Sequence, residues 1–188
     1  TFLMDDVYCY ESCTGIMDKL FKYFLRKQVR NTIKNCQHVF VSSQKMETEY
    51  DRIFGINSTF ITKSFFTDSL RTNVGTIHNP IKMVYLGNVL IGRLNSLIHI
   101  AKCMKVINEN RQKIQLAIYT NSYISDEDKK RLLIDDGVQL FPPVSYDKVP
   151  AIIADNDVLV FTESMDGKNM SVARLSFSTK IILPYEEK

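Results

Sequence analysis

Two stretches of this chain carry residue types that could hold a charged, hydroxyl-bearing ligand. The first is GNVLIGR, which contains Gly87, Asn88, Gly92 and Arg93. Small residues let a backbone approach a ligand closely, a helix start favours an anion, and an arginine adds a planar fork suited to phosphate. The second is FTESMDGKNMSVARLSFSTKI, residues 161–181, where Glu163 ends an apolar run and Ser176, Ser178, Thr179 and Lys180 follow. A carboxylate in that place can accept hydrogen bonds from two neighbouring hydroxyls, and the lysine offers a second cation. Each stretch also has a plainer explanation. GNVLIGR could be a tight turn with a surface arginine, and the second stretch a polar loop before a Ser/Thr-capped helix. Neither is the dinucleotide GxGxxG or the P-loop GxxxxGK[ST] pattern.

The elements that must position them alternate from residue 81 onward. KMVYLG (82–87), KIQLAIYT (113–120), VQLFPP (138–143) and DVLVFT (157–162) read as strands. Between them lie helices: LNSLIHIAKCMKVINEN (94–110), SDEDKKRLLIDD from Ser125, and DKVPAIIAD. In the first, Leu97, Ile100, Ala101, Met104 and Ile107 share one face. In the second, Asp126, Glu127 and Asp128 suit the positive end of the helix dipole. Near-continuous apolar strands separated by amphipathic helices predict an α/β fold, a Rossmann-like parallel sheet covered by helices. In such sheets ligands bind beyond the carboxyl ends of the strands. Arg93 and Glu163 both follow strands, so both are expected at that edge.

The first third predicts part of a second α/β domain. Phe21, Leu25, Val29 and Ile33 recur every four residues between Asp18 and Asn35, among Lys19, Lys22, Arg26, Lys27, Arg30 and Lys34. Either the apolar stripe packs this helix and its basic side is merely solvated, or the basic side presses on anionic lipid. HVFVS (38–42) and STFIT (58–62) read as strands, with a helix capped by Ser42-Ser43 and ended by Gly55 between them. DSLRTNVGTIHNP (68–80) breaks the periodicity. The expected division is therefore 1–72 for the first domain, 73–80 for a linker and 81–188 for the second.

Bulk properties exclude several classes. The chain has 188 residues, 45% of them hydrophobic, and a net charge of +3, too small to argue for nucleic acid. No apolar run approaches the roughly 18–20 residues of a membrane span, and no signal-peptide pattern is present. Four cysteines lack CxxC spacing, and are expected as free thiols in a reducing cytoplasm. The histidines, His38, His78 and His99, show no metal spacing. No metal or other cofactor is expected, and no nucleophile–base–acid triad is evident.

The pieces VYLGNVLIGRL, IYT, VLVFTES and RLSFSTKI, in this order over residues 82–181, resemble the donor-binding domain of GT-B glycosyltransferases. The type is the retaining one that builds bacterial surface and capsular polysaccharides (group 1, or family 4-like). FLMDD and VFVSSQKMETEYDRIFG resemble the tail of the same family's acceptor-side domain. The chain opens on Thr1 and is expected to be part of a larger protein. The resemblance implies that Arg93 binds the donor diphosphate, with Gly87, Asn88 and Gly92 beside it. It also implies that Glu163, the first acid of an E-x7-E motif, contacts the transferred sugar, with Ser178, Thr179 and Lys180 lining the donor site. Two departures stand out: Ser171 occupies the place of the second acid, and Asn88 that of a second cation in many members.

The expected activity is transfer of a sugar, hexosyl in type, from a nucleoside-diphosphate donor to a saccharide or lipid-linked acceptor. The expected location is the cytoplasm, with peripheral contact between residues 18–35 and the inner membrane face. Two readings from other classes stand beside it: a non-catalytic nucleotide-binding or interaction module, and a nucleotide-sugar epimerase of the same architecture.

Overall fold

A computed structural model describes residues 1–3, 6, 8, 15–61, 76–167, 169–170 and 174–175. The chain divides into two compact units. One joins Thr1–Ser64 with Asp166–Thr179, the other Phe65–Met165 with Lys180–Lys188.

The first unit holds a short parallel sheet ordered β1 (Phe2–Leu3), β2 (Phe40–Val41), β3 (Thr59–Phe60). Helix α1 (Ile16–Asn35) begins where the Asp18 carboxylate accepts a hydrogen bond from the Gly15 amide at 3.3 Å, half of a capping box. Helix α2 (Gln44–Phe54) is capped by Ser43, whose Oγ accepts from the Met46 amide at 3.1 Å. It ends on Gly55, left-handed at φ 63°, as its sequence predicts. Val41, Met46 and Tyr50 are fully buried, and Leu175 closes the same core while its carbonyl accepts from the Ser43 hydroxyl.

The packing of α1 differs from the sequence expectation. Ile33 is buried and Val29 packs against the core, but Phe21 is 70% exposed. The four-residue stripe twists around the helix, so only its C-terminal part faces the sheet.

The second unit is a four-stranded parallel sheet built from β4 (Ile81–Leu86), β5 (Ile114–Tyr119), β6 (Val138–Phe141) and β7 (Val158–Leu159). Its order is β6-β5-β4-β7. Helices α3 (Arg93–Ile107), α4 (Asp126–Leu132) and α5 (Val149–Ala154) make the crossovers. Crossovers of parallel strands are right-handed. The chain first steps outward from β4 to β6 and then returns to the other side of β4, so α3 and α4 cover one face and α5 the other. The core packs Tyr85 from β4, Leu97, Ile98 and Ala101 from α3, and Leu116 and Ile118 from β5. The α/β, Rossmann-like fold read from the sequence is the observed one.

Strand β7 is shorter than the expected 157–162, and among the described residues it pairs with β4. At the amino ends of β4 and β7, the Asp157 carboxylate accepts from the amides of Lys82 and His78 at 2.7 and 3.1 Å and pairs with the His78 ring at 2.9 Å. The Lys82 bond, aided by His78 and opposed by burial, holds Asp157 down at about 2.

Candidate functional site

The strand order decides what the site is made of. Because the chain reverses its direction of travel at β4, a crevice opens between the carboxyl ends of β4 and β7, the place where open α/β sheets bind ligands. Gly87 follows β4 directly, and Glu163 stands four residues past Leu159, the end of β7. Arg93, first residue of α3, leans into the same crevice.

Gly87 (φ 140°) and Gly92 (φ 76°) bracket a tight loop. Between them Ile91 sits at φ 55°, a left-handed conformation that a β-branched side chain adopts only under strain. The loop folds back on the helix start: the Arg93 amide donates to Leu90 O at 3.2 Å and the Leu94 amide to Val89 O at 3.1 Å. These two first-turn amides are thus satisfied within the protein. The donors left to the anion-binding helix start expected here are others, the Arg93 side chain first among them.

That side chain is held on three sides. Nε donates to Glu163 Oε2 at 3.1 Å, Nη2 to Glu163 Oε1 at 3.0 Å, and Nη1 to Asn88 Oδ1 at 2.8 Å. The pair is a bidentate fork, with the arginine side chain 16% exposed and the glutamate 30%. The two residues read separately from the sequence are therefore each other's partners. Gly87, Asn88, Gly92, Arg93 and Glu163 come together; Ser178, Thr179 and Lys180 lie outside the described residues, as does Ser171.

Three further residues belong to the arrangement and were not singled out by the sequence. Ser96 Oγ donates to the Glu163 carbonyl at 2.7 Å, and Thr162 Oγ1 donates to the same oxygen at 3.1 Å. Tyr85 donates its hydroxyl to the Asn88 carbonyl at 2.6 Å. Burial pushes the Tyr85 phenol up to about 12, with Arg93 opposing and Glu163 aiding the shift. The available signal for Ser96 was a hydroxyl on the buried face of α3, one turn past Arg93, where an apolar residue would otherwise stand. The arrangement offers an acceptor pair on Glu163, a guanidinium with donors to spare, and a backbone loop that comes close to anything bound there. Among the described residues, no three His, Cys, Asp or Glu side chains gather as a metal site needs. No described helix is long and apolar enough to cross a membrane.

No protein-family model matches the chain, and no curated protein matches it in sequence. Among solved structures it is similar to TarM. A crystal structure of a mutant S. aureus TarM in complex with Fondaparinux, alpha-GlcNAc-glycerol and UDP superposes with a TM-score of 0.57, at 16% identity over 93% of this chain. A second crystal structure of TarM gives a TM-score of 0.56 at 16% identity over 91%. The chain spans about a third of the length of these structures, 34% of each. At this identity the likeness is one of fold.

Proposed function

We propose that this chain is the nucleotide-sugar-binding part of a glycosyltransferase of the GT-B type. The observation that carries the proposal is the meeting of Arg93 and Glu163 at the switch point of a parallel sheet. The likeness to TarM, a glycosyltransferase solved with UDP and a saccharide, supports the same reading. In this proposal the donor diphosphate lies across the Gly87–Gly92 loop. Arg93 offsets the charge that builds on the leaving diphosphate, a contribution worth most in a partly desolvated site. Glu163 accepts from hydroxyls of the sugar and orients it, while Ser96 and Thr162 fix the backbone that carries the carboxylate. Ser178, Thr179 and Lys180 join the donor site from the following segment.

The finer elements belong to the same proposal. The sugar is a hexose, the anomeric configuration is retained, no metal takes part, and the acceptor is a saccharide or a lipid-linked acceptor in surface polysaccharide synthesis. Residues 1–72 supply the acceptor-side domain and 73–80 the linker. The protein works in the cytoplasm, with residues 18–35 touching the inner membrane face. A non-catalytic nucleotide-binding module is the second reading, favoured by Ser171 where the resemblance asks for an acid. Calorimetric titration with UDP, GDP and their sugars tests the binding. A nucleoside diphosphate should bind and Arg93→Ala should weaken it; no binding to any of them by the folded chain would refute both readings. Transfer from a donor that binds separates the enzyme from the silent module.

A further inference from the structure

We infer that Ser122 is a positioning residue for Arg93, acting through one peptide group of the loop between β4 and α3. The inference rests on the reading of the crevice as a donor site, and it extends that site to the loop that follows β5. The group is the trans peptide that joins Asn88 to Val89. Its oxygen accepts from the Tyr85 hydroxyl at 2.6 Å, and its N–H donates to Ser122 Oγ at 3.1 Å. In a trans peptide the C=O and N–H point to opposite sides. The group is therefore gripped at both poles, and its plane cannot turn without breaking a bond. Both grips are sheltered, since Tyr85 and Val89 are buried. Ser122 is held in turn: its own N–H donates to Thr120 Oγ1 at 3.1 Å, and the Thr120 amide donates to the Phe141 carbonyl at 3.4 Å. The ends of β5 and β6 thus brace the loop that follows β4.

This peptide matters because of what its two neighbours carry. Asn88 follows Gly87, whose amide is fixed on the Tyr119 carbonyl at 3.0 Å. With the next peptide pinned as well, Asn88 has a fixed direction, and its Oδ1 accepts from Arg93 Nη1 at 2.8 Å. That bond holds a guanidinium whose other edge faces Glu163. On the other side, the Val89 carbonyl accepts from the Leu94 amide at 3.1 Å, which ties the same stretch to the first turn of α3. The left-handed Ile91 persists only where its surroundings over-determine the backbone, and these bonds do so. Without the Ser122 hydroxyl, the N–H of the buried Val89 loses its acceptor, a costly state that a turn of the peptide relieves. Such a turn withdraws Asn88 from Arg93. Glu163 stays paired, so no competitor for an anion is removed. What is lost is the placing of the guanidinium and of the loop, and with it the preorganisation that favours binding.

Two measurements on the 188-residue protein test this role. The first needs no ligand: the Arg93 Nε–H resonance, identified by its loss in Arg93→Lys, is followed by NMR on nitrogen-labelled protein. In Ser122→Ala it should shift and exchange with water about 3- to 10-fold faster, the effect of one hydrogen bond. The second is calorimetric titration with UDP, whose affinity should fall by a similar factor of about 3 to 10. Ser122→Thr keeps the acceptor and should restore both. Tyr85→Phe frees the other pole of the same peptide. Combined with Ser122→Ala it should therefore give less than the product of the two single effects. Ser125→Ala is the control. It removes the α4 cap, whose Oγ accepts from the Asp128 amide at 3.1 Å, and should lower the melting temperature while leaving Arg93 and UDP binding unmoved. An Arg93 resonance unchanged in Ser122→Ala, with the circular dichroism of the parent, overturns the inference. So do effects of Ser122→Ala and Tyr85→Phe that multiply independently. Failure of UDP to bind the parent counts against the donor reading alone, and the resonance then decides the role of Ser122.

Discussion

If Arg93 is to hold a diphosphate, Glu163 is its competitor in the free protein. Glu163→Gln keeps the shape and removes the charge. Three of the five guanidinium donors are occupied, two of them by the two carboxylate oxygens at 3.1 and 3.0 Å. A diphosphate must use the donors left over or displace the carboxylate. The pair, 16% and 30% exposed, lies between two limits. Surface pairs contribute about 0–1 kcal/mol, whereas breaking a buried pair costs about 3–5 kcal/mol. A value of about 1–2 kcal/mol fits this half-shielded geometry, and 1.4 kcal/mol is a factor of ten. Glu163→Gln should therefore bind UDP about 5- to 30-fold more tightly than the parent, while Arg93→Ala should bind it more weakly. Turnover of a UDP-sugar should fall in both, because the glutamine cannot accept hydroxyls as a carboxylate does. Calorimetry on the parent and the two variants decides the matter. A Glu163→Gln protein that binds UDP no better than the parent would refute the competition, and equal losses in both variants would reduce Glu163 to a clamp on Arg93.

Other outcomes follow from the geometry. Asp157 has its folded pKa at about 2, below the ordinary 3.8. Its stabilising effect is complete above that ordinary value and is lost as pH falls from about 4 toward 2. Asp157→Asn should lower stability at neutral pH and flatten that acid limb in urea titrations. Ile91→Gly should stabilise the chain by about 1 kcal/mol. Relief of about 1–3 kcal/mol of strain outweighs a glycine entropy cost of about 0.5–1 kcal/mol, and the 43% exposed side chain gives up little burial; a lower melting temperature would contradict the strained loop. Tyr85→Phe should cost about 1 kcal/mol through the hydrogen bond lost at Asn88. Since Tyr85 is raised to about 12, its share of stability is present below pH 10 and lost between about 10 and 12. The phenylalanine variant should lack that alkaline step.

The strands and crossovers of the second unit were legible because β4, β5 and β6 are written as near-continuous apolar runs, with helices of clear period between them. The edge where Arg93 and Glu163 meet was legible too, since each follows a strand. Their direct pairing was not. An order β4-β5-β6-β7 would have placed them three strands apart, and nothing in DVLV says that β7 docks beside β4. The apolar period of α1 was equally ambiguous. Leu20, Phe21 and Phe24 make as good a stripe as Leu25, Val29 and Ile33, and only the position of Val41 and its neighbours selects the arc that packs. Ser96 was hidden for another reason, because a buried hydroxyl on a core face looks like a packing residue until its acceptor is known.

The place of β7 in the sheet also sets a clock. Arg93 and Glu163 are separated by 70 positions, and every strand and helix between them must leave the ribosome before the carboxylate does. At roughly 5–20 residues per second, that interval is about 4–14 s. During it β4, α3 and β5 can already pair and pack from contacts close in sequence, whereas the arginine waits for a strand synthesised after the rest of the sheet. The pairing of Arg93 with Glu163 thus forms later than that of β4 with β5, and a chain released early would have β4, β5 and β6 without the acid that meets Arg93.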